Sequence, residues 1–298
     1  DVYKRQGIIM SGSYDDRDGK IWMNGKLIEW RDANVHILTH AIHYASSVFE
    51  GERAYNGKIF KSVLHSQRLL KSAKMVDFEI PYSVDEIEKA KYDALRANKL
   101  EDAYVRAVAW RGAGADMGVA SLRNPVNLAV ATWSWGNYYG DAKMKGAKLD
   151  VAKWQRPDPK TAPFEAKAAG LYMIATMSKH TAEANGCSDA MMMDYRGYVA
   201  EATGANIFFV KDGEVHTPTP DAFLNGLTRQ TVIEMLTKMG VKVHERHILP
   251  GELEDFSQCW LTGSAAEITP VGQIGNYNFE VGELTQAVSK NYEKLVRE

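Results

Sequence analysis

Lys167 lies in an unusual setting: the run Ala162-Pro163-Phe164-Glu165-Ala166-Lys167-Ala168-Ala169-Gly170 carries only one other charge. An amine among small and apolar side chains loses hydration, its pKa falls, and the neutral form becomes a nucleophile. Taken alone, a lysine at a helix start is ordinarily solvated, so periodicity does not raise it above its peers. Glu201 ends the apolar run 198–202, just before the small-residue turn Thr203-Gly204-Ala205. A carboxylate there is placed to touch something buried, although a surface glutamate at a strand end has the same spelling. Two turns offer anion donors. Asn225-Gly226-Leu227-Thr228-Arg229 precedes a helix whose first N–H groups and positive dipole end attract anions, with the Thr228 hydroxyl beside them. Plain helix capping accounts for the same letters. Thr262-Gly263-Ser264-Ala265-Ala266-Glu267 is a second small, hydroxyl-rich turn, behind the apolar strand 259–261. His36, His40 and His43 have helix-compatible spacing, but no cysteine or carboxylate completes a ligand set, so no metal is expected.

These groups need elements to position them. Asn24-Gly25, Asn56-Gly57 and Asp212-Gly213 each separate two short β-prone runs, and such pairs take the positive φ angles of a tight hairpin. A helix is expected from about Ser62, with Leu64, Leu69, Leu70, Ala73 and Met75 on its inner face. Another follows at Ser83-Val84-Asp85-Glu86, a capping-box pattern. Strands fit 103–110 and 126–133, so the N-terminal half reads as an α+β unit of antiparallel sheet with packed helices. The Trp-, Tyr- and Gly-rich stretch 133–146 interrupts the pattern. Beyond it come a strand at 149–154, a Pro-rich turn at 156–163 and a helix from about Ala168 that ends near Gly186. A strand at 190–193 holds Met191-Met192-Met193 as core, and helices are expected at 228–239 and 285–296. The expected organisation is a small domain over 10–131, a linker over 132–143 and a large domain over 144–298.

Composition excludes several classes. The 298 residues carry 36 Lys+Arg against 38 Asp+Glu, a net charge of −2 that lacks the basic footprint of a nucleic-acid binder. Two cysteines, Cys187 and Cys259, make no disulfide framework and no zinc pattern. No apolar run is long enough to span a membrane and no signal segment is evident, so a cytoplasmic protein is expected. Residues 1–9, beginning Asp1-Val2-Tyr3-Lys4-Arg5-Gln6, read as a leader such as metagenomic assembly leaves ahead of a gene, with Met10 as the native start.

Six segments in order then carry a resemblance over 21–296. They are His43-Tyr44-Ala45-Ser46-Ser47-Val48-Phe49-Glu50-Gly51-Glu52-Arg53, Ala103-Tyr104-Val105-Arg106 and Ala166-Lys167-Ala168. After these come Glu201-Ala202-Thr203-Gly204-Ala205-Asn206-Ile207-Phe208, Gly226-Leu227-Thr228-Arg229 and Gly263-Ser264-Ala265-Ala266-Glu267-Ile268-Thr269-Pro270. Together they resemble the branched-chain amino-acid aminotransferases, fold-type IV enzymes dependent on pyridoxal 5'-phosphate (PLP). That resemblance implies a smaller N-terminal α+β domain and a larger domain with a mixed, barrel-like β core and flanking helices, the cofactor lying between them.

It also implies roles. Lys167 would hold PLP covalently and shuttle the proton at the substrate Cα. Glu201 would pair with the pyridine nitrogen and keep it protonated. Tyr172 would hydrogen-bond the phenolic oxygen. Arg53, Leu227, Thr228 and Ser264 would hold the phosphate, and the Ser264-Ala265 turn the substrate carboxylate. Tyr44, Phe49, Gly51, Val119, Trp135 and Tyr138 would shape the substrate site, with Tyr44 and Val119 supplied by a neighbouring subunit, so a homodimer is implied. Tyr104 and Arg106 would receive the distal carboxylate of glutamate. The implied reaction is ping-pong transamination, through pyridoxamine phosphate, between leucine, isoleucine or valine and 2-oxoglutarate. A D-amino-acid or R-amine transaminase of the same fold is the nearest alternative, and an inactive homologue a more distant one. Departures at Ala107, Ala202, Ala205 and the loop 110–116 bear on side-chain preference rather than on the PLP machinery.

Overall fold

The computed structural model describes residues 13–135 and 145–298. The first hairpin, β1 (Lys20–Met23) and β2 (Lys26–Glu29), turns at Asn24 (φ 49°) and Gly25 (φ 92°) as its sequence requires. A short helix, α1 (His40–Tyr44), leads into β3 (Ser47–Phe49), and the second hairpin joins β4 (Glu52–Tyr55) to β5 (Lys58–Ile59). Two helices follow, α2 (Ser62–Met75) and α3 (Val84–Ala97), and then the long pair β6 (Ala103–Arg111) and β7 (Val126–Ser134). The strands form an antiparallel sheet in the order β2-β1-β7-β6-β4-β5, with β3 also on β6. Leu69, Ile87, Ala94, Val105, Leu128 and Val130 are buried between this sheet and the two helices.

The α3 start is the capping box expected: the Glu86 N–H donates to Ser83 Oγ at 3.3 Å, and the Ser83 N–H donates to Glu86 Oε2 at 2.7 Å. Two expectations change. Leu64 is exposed, and the inner face of α2 carries His65, Ser66 and Ser72 beside Leu69 and Ala73. The helix covers buried carboxylates as well as apolar core, so an apolar-only face misreads it. The linker expected to begin at residue 132 begins inside β7, because the ladder to β6 pairs Val105 with Thr132, Tyr104 with Trp133 and Ala103 with Ser134. The rest of that linker and Tyr138 fall outside the described residues, as do residues 1–12.

The second half opens with β8 (Ala147–Val151). A 3-10 turn (Ala169–Tyr172) precedes α4 (Met173–Ala184), so the regular helix starts later than Ala168. Gly186 takes φ +72° just beyond its end. Strands β9 (Asp189–Met193), β10 (Val199–Ala202), β11 (Asn206–Lys211) and β12 (Glu214–Pro218) come next, then α5 (Leu227–Lys238). The chain finishes with β13 (Val243–Arg246), β14 (Gln258–Gly263), β15 (Glu267–Ile274), β16 (Tyr277–Asn278) and α6 (Glu283–Leu295). The order β10-β9-β8-β15-β14-β11 closes through the β10–β11 pair into a six-stranded barrel of mixed direction. The period-2 alternation of a strand divides its side chains. Ile207 and Phe209 enter the barrel core with Leu149, Leu261 and Val271. Phe208 and Val210 face outward under Val232, Leu236, Val288 and Tyr292 of α5 and α6.

Candidate active site

Where the small domain meets the barrel, a cleft of about 770 Å³, its open mouth included, is lined from both. The segment carrying Lys167 is stitched to the small domain on both sides: its N–H donates to Ser72 Oγ of α2 at 3.0 Å, and its carbonyl accepts from the Phe49 N–H at 3.1 Å. That anchoring sends the side chain into the cleft, where Nζ lies 2.8 Å from the Tyr172 hydroxyl and 5.0 Å from the centre of the Phe49 ring. A short run of chain ending in the 3-10 turn Ala169–Tyr172 therefore brings the amine and the hydroxyl within hydrogen-bond distance.

Glu201 is at the other end. It sits on β10, opposite Asn206 of β11, which in turn pairs with Thr262 of β14, so three polar side chains form a row across the barrel rim. Burial pushes the Glu201 carboxyl up to about 7, against the pull of Arg156 and Lys167 and with a further push from Asp189. Its contacts are few for a buried carboxylate: Arg156 Nε at 3.3 Å from Oε1, and Asn206 Nδ2 donating to Oε2 at 3.2 Å.

The anion cup forms between these. Helix α5 follows Gly226, an N-cap with no side chain to accept from the first N–H groups, so those of Leu227 and Thr228 have no side-chain cap and are of the kind that can hold an anion. Ser264 and Ala265 of the β14–β15 turn complete that side of the cleft. A small cavity behind it is lined by Arg53, Leu227, Thr228, Ser264 and Tyr292. Arg53 holds Nη1 3.8 Å from Glu267 Oε1 and leaves its buried Nε without a hydrogen bond. Arg68 of α2 also lines the cleft. Its Nε and Nη2 each donate to Glu50 at 2.7 Å, and its buried Nη1 is unspent.

The aromatic wall lies on the small-domain side. Gly51 touches the Tyr104 hydroxyl so closely that a Cβ would fall 2.0 Å from it. Tyr104 stacks against Trp135 at 4.6 Å and Trp133 at 5.0 Å, and accepts from Arg106 Nη2 at 3.1 Å. The Arg106 guanidinium also lies 4.7 Å from the centre of the Phe49 ring, with Nε buried and unpartnered. Phe49 meets Tyr172 at 4.9 Å, so a continuous wall joins Lys167 to Arg106. Tyr44 and Val119 are elsewhere. Both border a separate groove with Arg111 and Leu171, Tyr44 donating to the Met117 carbonyl at 3.2 Å, and Val119 is 79% exposed. The histidines are engaged locally: His40 with Ser46 and the Gly118 carbonyl, His43 with the Ile37 carbonyl, and His36 with the Leu38 N–H.

Arg68, Arg156, Asn206 and Thr262 line this cleft without having been singled out in the sequence. An arginine inside a helix, or one beside prolines, carries no local mark of its destination. Asn206 and Thr262 had the one available signal, a place within or next to the two small-residue turns.

The donor set suits a group that is anionic at one end, has a ring nitrogen at the other and offers a carbonyl to an amine between. Buried polar atoms at Arg53, Arg68 and Thr262 that lack a hydrogen bond are costly unless a ligand answers them. Barrel, small domain and this cleft define a class, and the family model described as amino-transferase class IV matches residues 47–274. The chain belongs to the class IV aminotransferase family. Among its relatives is a probable branched-chain-amino-acid aminotransferase of Rickettsia felis, 40% identical over 93% of this chain and 96% of that protein. The solved branched-chain amino acid aminotransferase of Escherichia coli superposes with a TM-score of 0.90 at 33% identity, covering 94% of this chain and 95% of that one. The branched-chain amino acid aminotransferase of Thermobaculum terrenum, solved in its PLP-form, superposes with a TM-score of 0.85 at 27% identity, covering 94% of each chain.

Proposed function

We propose that the protein is a PLP-dependent transaminase that exchanges the amino group between L-branched-chain amino acids and 2-oxoglutarate in two half-reactions. The observation that carries this is the position of Lys167 Nζ, 2.8 Å from the Tyr172 hydroxyl, in one cleft with Glu201 and the α5 N-terminus. When bound, PLP supplies a carbonyl to accept the amino group and a ring to accept electrons. Lys167 would hold it and, once released, carry the proton at the substrate Cα, with the Tyr172 hydroxyl holding the amine in place. Glu201 would face the ring nitrogen and keep a proton there. Thr228, Ser264 and the first N–H groups of α5 would take the phosphate, assisted by the unspent donors of Arg53 and Arg68. Phe49, Tyr104 and Trp135 exclude water from the apolar side chain, while Arg106 waits at their edge for a distal carboxylate. One pocket thus serves leucine and glutamate in turn. The names of the relatives favour this reading over a D-amino-acid or R-amine transaminase.

A homodimer is part of the same reading, with Tyr44 and Val119 serving the neighbouring site. It is supported by exposed apolar side chains on the groove side of the small domain, among them Ile37 (68%), Val119 (79%) and Leu122 (78%). No helix among the described residues is long and apolar enough to cross a membrane. A reducing compartment such as the cytoplasm suits the two buried free thiols, Cys187 and Cys259.

The test is spectroscopic. The holoprotein should show a visible band that borohydride fixes as a covalent adduct on Lys167, and L-leucine should bleach that band where D-alanine and an R-amine do not. A colourless protein with unmodified Lys167 defeats the cofactor assignment, and bleaching by D-alanine alone defeats the substrate assignment. Arg106→Ala should raise KM for 2-oxoglutarate by about tenfold or more while leaving leucine within about threefold.

A further inference from the structure

Asn206 is 5% exposed and belongs to none of the groups that hold substrate or cofactor in the proposal above. Its amide nevertheless makes three bonds to two different parts of the site. Nδ2 donates to Glu201 Oε2 at 3.2 Å and to the Leu224 carbonyl at 3.0 Å, while Oδ1 accepts the Gly226 N–H at 3.1 Å. The loop that launches α5 is therefore gripped at Leu224 and Gly226 by one side chain, and the same side chain steadies the carboxylate at the far end. Gly226 is shaped to admit it: a Cβ there would lie 2.3 Å from Asn206 Oδ1, although its φ of −62° suits any residue. The missing side chain thus serves the close approach and not the backbone angle.

We infer that Asn206 is a positioning residue that couples the two ends of the cofactor site, orienting Glu201 through its amide N–H and fixing the anion-binding start of α5 through its carbonyl. The inference rests on the cofactor reading above. Glu201 is faced by Arg156 and Lys167 as cations, by the Asn206 amide, and by Asp189, whose Oδ1 accepts from the Thr203 hydroxyl at 2.5 Å. Asn206 is the neutral donor in that set, and removing its donation leaves Glu201 with the off-angle Arg156 guanidinium, the Lys167 charge and a repelling Asp189 carboxylate.

The two arms separate experimentally. Asn206→Asp keeps an acceptor for Gly226, loses the Nδ2 donations to Glu201 and to the Leu224 carbonyl, and adds a second carboxylate beside Glu201; Asn206→Ala loses all three contacts and adds no charge. In the cofactor-free full chain, the Glu201 titration is followed as the carboxyl 13C signal that disappears in Glu201→Gln, and anion binding is followed with inorganic phosphate. Asn206→Asp raises the Glu201 midpoint by its added charge as well as by the lost donation, so the diagnostic shift, about one unit or more, is read in Asn206→Ala. Asn206→Ala should raise the midpoint and also weaken phosphate by about tenfold. Gly226→Ala, which crowds Oδ1 from the α5 side without removing the Nδ2 donor, should weaken phosphate as Asn206→Ala does. In the holoenzyme, kcat should fall in both Asn206 variants with KM for leucine within about threefold. An unmoved midpoint or an unmoved phosphate affinity in Asn206→Ala, or equal losses of every readout in step with melting temperature, would overturn the inference. A wild-type chain that takes up no PLP would defeat the cofactor reading instead, since neither measurement on the cofactor-free chain requires it.

Discussion

Two buried glutamates, about as different as one residue type allows, divide the labour of this molecule. Glu50, in the floor of the small domain, receives Arg68 through Nε and Nη2 and His65 through Nδ1, all three at 2.7 Å. Burial works to raise its pKa, but Arg68 and His65 outweigh burial and hold the carboxyl well below its ordinary range. Glu201, at the barrel rim, has one amide and one poorly aligned guanidinium, and burial wins. The first carboxylate is fully committed to the fold; the second has fewer partners, as its proposed pairing with a ring nitrogen requires. The contrast teaches that burial alone does not mark a functional carboxylate. The shortfall of partners does.

Breaking the committed pair should have the largest effect on folding. Glu50→Ala leaves the Arg68 charge uncompensated at a site where it is 14% exposed, and should lower unfolding free energy by about 3–5 kcal/mol in urea titrations. Because Arg68 also lines the cleft, PLP affinity should fall with it. Breaking the incomplete one should leave folding intact: Glu201→Gln should lower kcat by about a hundredfold to a thousandfold, roughly 3–4 kcal/mol, with an unchanged or higher melting temperature for the cofactor-free protein. If Glu201→Gln unfolds the chain and Glu50→Ala does not, the comparison is reversed.

The pH dependence sharpens it further. Glu201 binds its proton more tightly folded than unfolded, so between the ordinary carboxylate range and about pH 7 the native state holds more protons than the unfolded chain. Stability from this group is therefore fully present at low pH and declines as pH rises through about 7, by on the order of 3 kcal/mol relative to Glu201→Gln. Glu50 has the opposite sign: its depressed pKa favours the native state at neutral pH, and that contribution is lost on acidification. In the cofactor-free proteins, denaturant midpoints should show the advantage of wild type over Glu201→Gln shrinking as pH rises from 4.5 through about 7, and that of wild type over Glu50→Ala shrinking as pH falls below 4.5. The smallest effect is expected far from both carboxylates. Ser83→Ala removes one half of the α3 capping box and should cost about 1 kcal/mol with kcat unchanged.

The sequence already held what depends on neighbours along the chain. Asn24-Gly25, Asn56-Gly57 and Asp212-Gly213 adopt positive φ at their hairpin turns because those residues tolerate it where others do not. Ser83 and Glu86 cap α3 because they lie three residues apart. Lys167 and Glu201 stand as charges in apolar strings, but only the six segments in order raise them above other lysines and glutamates. Where the string mixes polar and apolar residues, as in α2, periodicity points to the wrong face, and Leu64 lies outside while His65 lies inside.

What only the tertiary structure decided is which donors meet. Arg68 leaves the middle of a helix, Arg156 a loop and Asn206 the start of a strand; the two arginines do not differ locally from surface residues, and Asn206 has only its place beside a small-residue turn. They converge because the barrel closes between β10 and β11, which brings Glu201 opposite Asn206, and because the small domain docks on the Lys167 segment. Sequence spacing encodes local geometry, whereas unsatisfied hydrogen-bonding capacity belongs to a place in space. The incomplete partner set around Glu201 is therefore visible only after the chain has folded around it.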